Sequence, residues 1–409
     1  MNILTNKRLQ LLSSAALFFV PMMSNTPASA MEAVSPLQDG IPAEEQGSPE
    51  ETEPDLKQAE LLLDSMSLEK KISQMFILTP EMLTGAGTVI QAGETTRSAL
   101  EKYPVGGLIY MSQNIVTEEQ FTAMARDIQS YSIELTSLPL FLCVDEEGGT
   151  VRRVSGNLPL IPEVPDMRSV GQSGDLEEAY ETGALIGSYL ASLGFNVDFA
   201  PVADVVTDPK ASAISDRSFG SNPLVVGNMA AACARGIREQ GVYATLKHFP
   251  GHGAVEEDSH LSGVISQKTL IQLKTEDLIP FMIGISEGAD FIMAGHISFP
   301  NITDDHVPAS LSRYFLTDLL RDEMGYTGLI ITDALNMGAV TDFYSPGEAA
   351  VMAVSAGADL LLMPEDFKAA HQSIMEAVRR GEISEERIDE SVRRIIALKL
   401  TVEPGKEGA

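Results

Sequence analysis

Basic residues are scarce in this chain: 28 lysines and arginines face 58 aspartates and glutamates among 409 residues, for a formal net charge of −30. A surface of that sign repels phosphate, which argues against nucleic acid and other phosphate-rich partners. Cysteine is scarcer still, with Cys143 in an apolar strand-like run and Cys233 in a small-residue helix-like run. A large core needs no stapling, so both are expected to be buried packing groups, with a bridge between them as the alternative. No run of 18 consecutive apolar residues occurs beyond the first 30 residues, so no membrane span is expected after processing.

The first 30 residues carry Lys7 and Arg8, a mainly apolar stretch from Leu11 to Met23, and a small-residue exit ending Ala28-Ser29-Ala30. This is the pattern of a secretory signal peptide cleaved near Ala30, and it implies a secreted or cell-envelope protein. The residue directly after Ala30 is Met31 and not cysteine, so no lipid anchor is expected. Cleavage removes two bases and no acid, which takes the charge from −30 to −32. Residues 31–56 hold eight acids, no base and prolines at 36, 42, 49 and 54. Such a segment cannot bury enough apolar surface to order itself and reads as a flexible leader.

From residue 57 to about 402, short apolar or β-branched runs alternate with stretches of helical period. The candidate strands are 75–78, 107–111, 140–144, 197–201, 242–246, 291–295, 329–332 and 360–363. Helical candidates include 176–193, 226–240, 311–324, 367–381 and 384–400, the last with Ser384 as its N-cap. Eight β/α repeats predict a single-domain α/β fold, a (β/α)₈ TIM barrel, with a doubly wound open sheet as the rival. Polar residues follow nearly every strand: VDEEGG the third, ADVVTDP the fourth, KHFPGHG the fifth, His296 the sixth and Asp333 the seventh. Chemistry spread around a ring of strand ends favours the barrel.

Residues 247–260, KHFPGHGAVEEDSH, contain three of the six histidines and read as a loop leaving the fifth strand. Lys247 and His248 are expected to point into the mouth, with His252 shaping the loop. Asp258 and His260, two apart, can converge on a tight turn as a general acid and base pair. His248, His252, His260 and Asp258 would also suffice as zinc ligands, but H-x₃-H-x₇-H in a glycine-rich loop is not a compact ligand pattern. No metal and no cofactor are therefore expected. Asp333, in GLIITDALNMG, is either a carboxylate facing the barrel mouth or a cap for the helix that follows. Asp145, Arg153 and the pair Asp216-Arg217 are groups suited to gripping a sugar ring, or else loop salt bridges. Asp204 reads as structural support.

Taken together, the segments MSLEKKISQMF, VDEEGG, DRSFG, KHFPGHGAVEEDSH, GLIITDALNMG and SAGADLLLMP resemble the family-3 glycoside hydrolases, and among them the β-N-acetylglucosaminidases of bacterial cell-wall turnover. The resemblance implies a retaining double displacement with Asp333 as nucleophile, His260 as acid/base and Asp258 as its partner. It places Asp145, Arg153, Arg217, Lys247 and His248 around the terminal sugar. Thr150 departs from it, standing where relatives often have arginine. No second domain is expected, which with DSH points to N-acetylglucosaminides over glucosides. The partner implied is a carbohydrate containing N-acetylglucosamine, handled by a monomer. A β-glucosidase-like or phosphorolytic member of the same family and a non-catalytic sugar-binding envelope protein are the alternatives, with a metal-dependent hydrolase behind them.

Overall fold

The structure, a computed structural model, describes residues 53–207, 214–253 and 263–401. Each apolar run becomes a strand: β1 (Phe76–Leu78), β2 (Gly107–Ile109), β3 (Phe141–Val144), β4 (Val197–Asp198), β5 (Tyr243–Phe249), β6 (Phe291–Ala294), β7 (Leu329–Thr332) and β8 (Leu361–Leu362). Hydrogen bonding runs in the order β7-β6-β5-β4-β3-β2-β1-β8, with every neighbouring pair parallel. The two ends of that order meet, because Ile331 of β7 bridges Leu360 in parallel and the Thr332 amide donates to the Leu360 carbonyl at 3.0 Å. The sheet is closed into a (β/α)₈ barrel, which excludes the open doubly wound alternative. All strands but β5 are buried along their whole length, as a sheet covered by helices requires.

The helices follow the sequence signals closely. Helix α1 (Glu53–Ser65) opens the described chain, so helical backbone takes in the last four residues expected for the leader, 53–56. Helix α2 (Leu176–Leu193) starts at an Asp175 cap and stops at Gly194. Helix α3 (Pro223–Glu239) begins three residues earlier than its apolar period, because Asn222 caps it and Pro223 occupies the first turn, where a missing N–H costs nothing. Residues expected as a helix over 311–324 form a π-helical segment, Tyr314–Glu323. Helix α4 (Leu278–Ser286) packs against α3, and α5 (Pro346–Ala356) leads into β8. Helices α6 (Phe367–Arg379) and α7 (Glu385–Leu400) close the fold, the second with Ser384 accepting from the Arg387 amide at 3.1 Å.

Buried Asp359 fastens α7 to the closing seam. One of its oxygens accepts from Ser391 at 2.6 Å and Arg394 at 3.1 Å; the other accepts from the Ile330 amide at 2.9 Å and from Arg321. Cys143 and Cys233 are both free and buried, so the bridge is not formed, and burial pushes the Cys233 thiol up to about 12. Among the described residues no helix is long and apolar enough to cross a membrane.

At the closed end of the barrel the last turn of α7 buries a lysine. Lys399 donates to Gln74 Oε1 at 2.8 Å and lies 5.2 Å from the centre of the Phe141 ring, with no carboxylate beside it. Burial pulls its pKa from 10.5 down to about 7. A base whose folded pKa is depressed binds its proton more weakly when folded, so it penalises the fold fully below about pH 7, and the penalty fades as pH rises towards 10.5. Lys399→Met should therefore raise the melting temperature by a few degrees at pH 6, since losing the charge outweighs leaving Gln74 Oε1 short of one bond, worth about 1–3 kcal/mol. Thermal melts at pH 6, 8 and 10 check this, with the gain expected to shrink at each step.

Candidate active site

The C-terminal ends of β3 to β7 supply the polar groups, so the fold gathers at one mouth residues that lie up to 188 positions apart in the chain, from Asp145 to Asp333. The fifth segment differs from the sequence reading. Strand β5 does not end at Leu246 but runs through Lys247 and His248 to Phe249, with an irregular register against β6 between Lys247 and Phe249. Lysine, histidine and proline look like loop residues, yet here each polar side chain has a buried partner that makes strand geometry tolerable.

Lys247 finds two such partners on the segment after β3. Its ammonium lies 2.9 Å from Asp145 Oδ1 and 2.6 Å from Glu147 Oε1. Glu147 also receives the Arg217 guanidinium in a fork, Nε on one oxygen and Nη2 on the other, both at 2.7 Å. The result is a row of alternating charge, Asp145, Lys247, Glu147, Arg217. Burial opposes the charge on Glu147, but Lys247 and Arg217 outweigh it and hold its carboxyl well below the usual range. Lys247 is likewise raised, because Asp145 and Glu147 overcome the cost of burial.

The VDEEGG segment is shaped to deliver this row. A short hairpin pairs Glu146–Gly148 with Val151–Arg152. Side chains alternate along an extended segment, so Asp145 and Glu147 share one face while Glu146 points to the other. Glu146 is buried in the loop, accepting from the Val154 and Ser155 amides, the Ser155 hydroxyl and Tyr189 at 2.6–3.0 Å. Gly148 and Gly149 have φ of +79° and +55°, and a Cβ on either would meet Pro165 or Asp166 within 2.8 Å, so neither position admits a side chain. Glu147 was missed as a site residue; the signal was the i, i+2 spacing of Asp145 and Glu147 beside a strand end.

His248 is held from behind by Asp204. The Nδ1 atom lies 2.7 Å from Asp204 Oδ2, and the other oxygen accepts from the His252 amide at 2.6 Å. Asp204 is fully buried and carries the structural role expected of it. It stays below the ordinary carboxylate range because His248, His252 and the His252 amide overcome burial. His252 is buried 5.9 Å from His248, ring to ring, and burial lowers its pKa. Gly251, at φ +137°, lies so close to Asp277 that a Cβ would sit 2.6 Å from the aspartate's own.

Asp333 stands at the end of β7, partly open to the mouth. Its amide continues the ladder to the Ala294 carbonyl at 2.8 Å, and its Oδ1 accepts from the Ala334 amide at 2.8 Å. It does not cap the next helix, Gly338–Thr341, whose N-cap is Met337. Burial would raise its pKa, but His248, His296, the Ala334 amide and Lys247 together hold it below the ordinary value. His296 is fixed by Ser310 at 2.6 Å through Nδ1 and donates from Nε2 to the Ala334 carbonyl at 3.0 Å.

Of the other expected site residues, Arg153 lies just past the hairpin, partly buried, with a buried Nε that has no hydrogen-bond partner among the described residues. The neighbouring Arg152 turns outward to Glu163 at 2.9 Å. Asp216, beside Arg217 in the chain, is exposed. Asp258 and His260 lie outside the described residues. Among the described residues, no group of three or more histidines, cysteines and carboxylates is placed to hold a metal ion.

Residues 67–398 match the model of the glycosyl hydrolase family 3 N-terminal domain. The chain is 33% identical over 329 residues to β-hexosaminidase A of Pseudoalteromonas piscicida, covering 73% of this chain and 54% of that protein. It is 35% identical over 301 residues to a β-hexosaminidase of Nitrosomonas eutropha, covering 72% and 83%. The solved structure of a glycoside hydrolase family 3 β-N-acetylglucosaminidase from Paenibacillus sp. superposes with a TM-score of 0.78 at 36% identity, over 84% of this chain and 65% of that one. The chain thus spans about half to two thirds of the longer relatives and most of the shorter.

Proposed function

The chain belongs to the glycosyl hydrolase family 3, and we propose that it is a retaining exo-β-N-acetylglucosaminidase with Asp333 as nucleophile and His260, backed by Asp258, as acid and base. The observation that carries this reading is Asp333 itself: a carboxylate at a barrel strand end, partly open, held below its ordinary pKa by the nearby His248, His296, Ala334 amide and Lys247. A nucleophile must stay an anion while its partner gives and then takes a proton. In the first step an Asp333 oxygen bonds to the anomeric carbon, the bond to the departing oxygen breaks, and His260 protonates that oxygen. In the second, water bonds to the same carbon, the ester to Asp333 breaks, and His260 takes the water's proton. Two inversions at one carbon give net retention.

Asp145, Arg153, Arg217, Lys247 and His248 hold the terminal sugar in this reading. The N-acetylglucosaminide preference is drawn from the Paenibacillus β-N-acetylglucosaminidase and from the DSH motif. Residues 1–30 have the form of an export signal, which puts the enzyme where peptidoglycan fragments offer N-acetylglucosaminyl ends. Matched aryl β-glucoside, β-xyloside and β-N-acetylglucosaminide, assayed with and without a chelator, test the proposal. Turnover of the N-acetylglucosaminide should exceed the others at least tenfold and survive chelation. Equal turnover of the glucoside, or loss of activity with chelator, would overturn it.

A further inference from the structure

Glu147 is all but closed to solvent, and both of its oxygens are committed to Lys247 and Arg217, the two cations given a sugar-binding role above. Its side chain is 1% exposed and that of Lys247 3%, whereas Arg217 is 16% and Asp145 21% exposed. The row of charge therefore has a closed interior and open ends. Lys247 has three ammonium protons; Asp145 and Glu147 take two of them, and the third is left with a direction set by the other two. Glu147 likewise fixes the plane of the Arg217 guanidinium, because a fork with two parallel bonds allows only one orientation. Glu147 is in turn immobilised by its neighbours, through the buried Glu146 and the two glycines that admit no side chain.

We propose that Glu147 is a positioning residue for substrate binding, aiming Lys247 and Arg217 together at the terminal sugar and balancing their charge. This rests on the sugar-binding role given above to Lys247 and Arg217. Losing the aim weakens contacts made equally to substrate and transition state, so the loss belongs in KM and not in kcat. A carboxylate that served only to hold the fold would lower stability, and active-enzyme concentration, without that split.

The test uses the full-length chain, with steady-state kinetics on an aryl N-acetyl-β-glucosaminide and circular dichroism for folding. Glu147→Gln should raise KM at least tenfold and change kcat less than about threefold. Lys247→Ala should raise KM comparably, and the double variant should fall short of the product of the two single effects, because the share of Glu147 that acts through Lys247 is already lost and only its share through Arg217 remains. A KM for Glu147→Gln within twofold of wild type would overturn the proposal, as would KM effects that multiply in the double variant. Should Glu147→Gln fail to fold, Glu147→Asp decides. It keeps the charge but is too short to hold both cations, so KM should rise three- to tenfold at unchanged kcat, and an unchanged KM would overturn the idea. Failure of the underlying activity shows differently, as a wild-type chain that does not turn the substrate over.

Discussion

Replacing Asp333 by alanine is expected to lower kcat for an aryl N-acetyl-β-glucosaminide by about 10⁴-fold or more, the scale seen when a covalent nucleophile is removed. The fold should survive, since the side chain sits at a strand end and the structure shows its carboxylate bonded to the adjacent Ala334 amide. The chemistry of the rescue is the sharper part of this expectation. With the carboxylate gone, azide can approach the anomeric carbon from the vacated face while His260 still protonates the leaving group. The product should be the α-glycosyl azide, and added azide should restore turnover at least tenfold. A variant with wild-type turnover, or one that yields only the β-azide, would remove Asp333 from the nucleophile's role.

Replacing His260 should separate substrates by their leaving groups. An activated aryl oxygen departs without help, while a sugar alkoxide must be protonated as the bond breaks. For His260→Ala, hydrolysis of a disaccharide should fall by roughly 10²–10⁴-fold, the usual contribution of general acid catalysis. Release of an activated phenol in the first step should fall less than about tenfold, so phenol appears in a burst before slow turnover. Asp258→Asn should follow the same pattern with smaller losses, because it weakens the imidazolium without removing it. Equal losses on both substrates would count against the acid role. Asp258 and His260 lie outside the described residues, and their roles rest on the DSH motif and on this chemistry.

The barrel was legible because its signals are redundant. Eight apolar runs mark eight strands, and α2 spans 176–193 as its 3.6-residue period requires, with Asp175 and Gly194 at its ends. Ring closure was less direct: it depends on Ile331 meeting Leu360, a contact that periodicity does not encode but that the scatter of polar residues over many strand ends implies. The end of β5 was misread because Lys247 and His248 look like loop residues until Asp145, Glu147 and Asp204 are known to be beside them. Those partners come from segments 43 or more residues away, and local pattern cannot reveal them.

The site was legible in the same uneven way. Lys247 meets Asp145 directly and Arg217 only through Glu147, which a reading of VDEEGG by residue type passes over. His248 and Asp333 share a mouth because β5 and β7 are separated in the ring by β6 alone. His296, at the end of that intervening strand, reaches the Ala334 carbonyl beside Asp333 and helps to hold the carboxylate below its ordinary pKa. Nothing in its local sequence distinguishes it from a packing histidine.

The central claim is a covalent intermediate on Asp333, and trapping it is the most direct test. The full-length chain would be incubated with a 5-fluoro N-acetyl-β-glucosaminyl fluoride, whose fluorine slows breakdown of the intermediate, then denatured and digested for peptide mass spectrometry. The expected result is one fluorinated sugar attached to the peptide that contains GLIITDALNMG, on Asp333. An adduct on a different carboxylate, or turnover without any adduct and with release of the α-anomer first, would contradict the account.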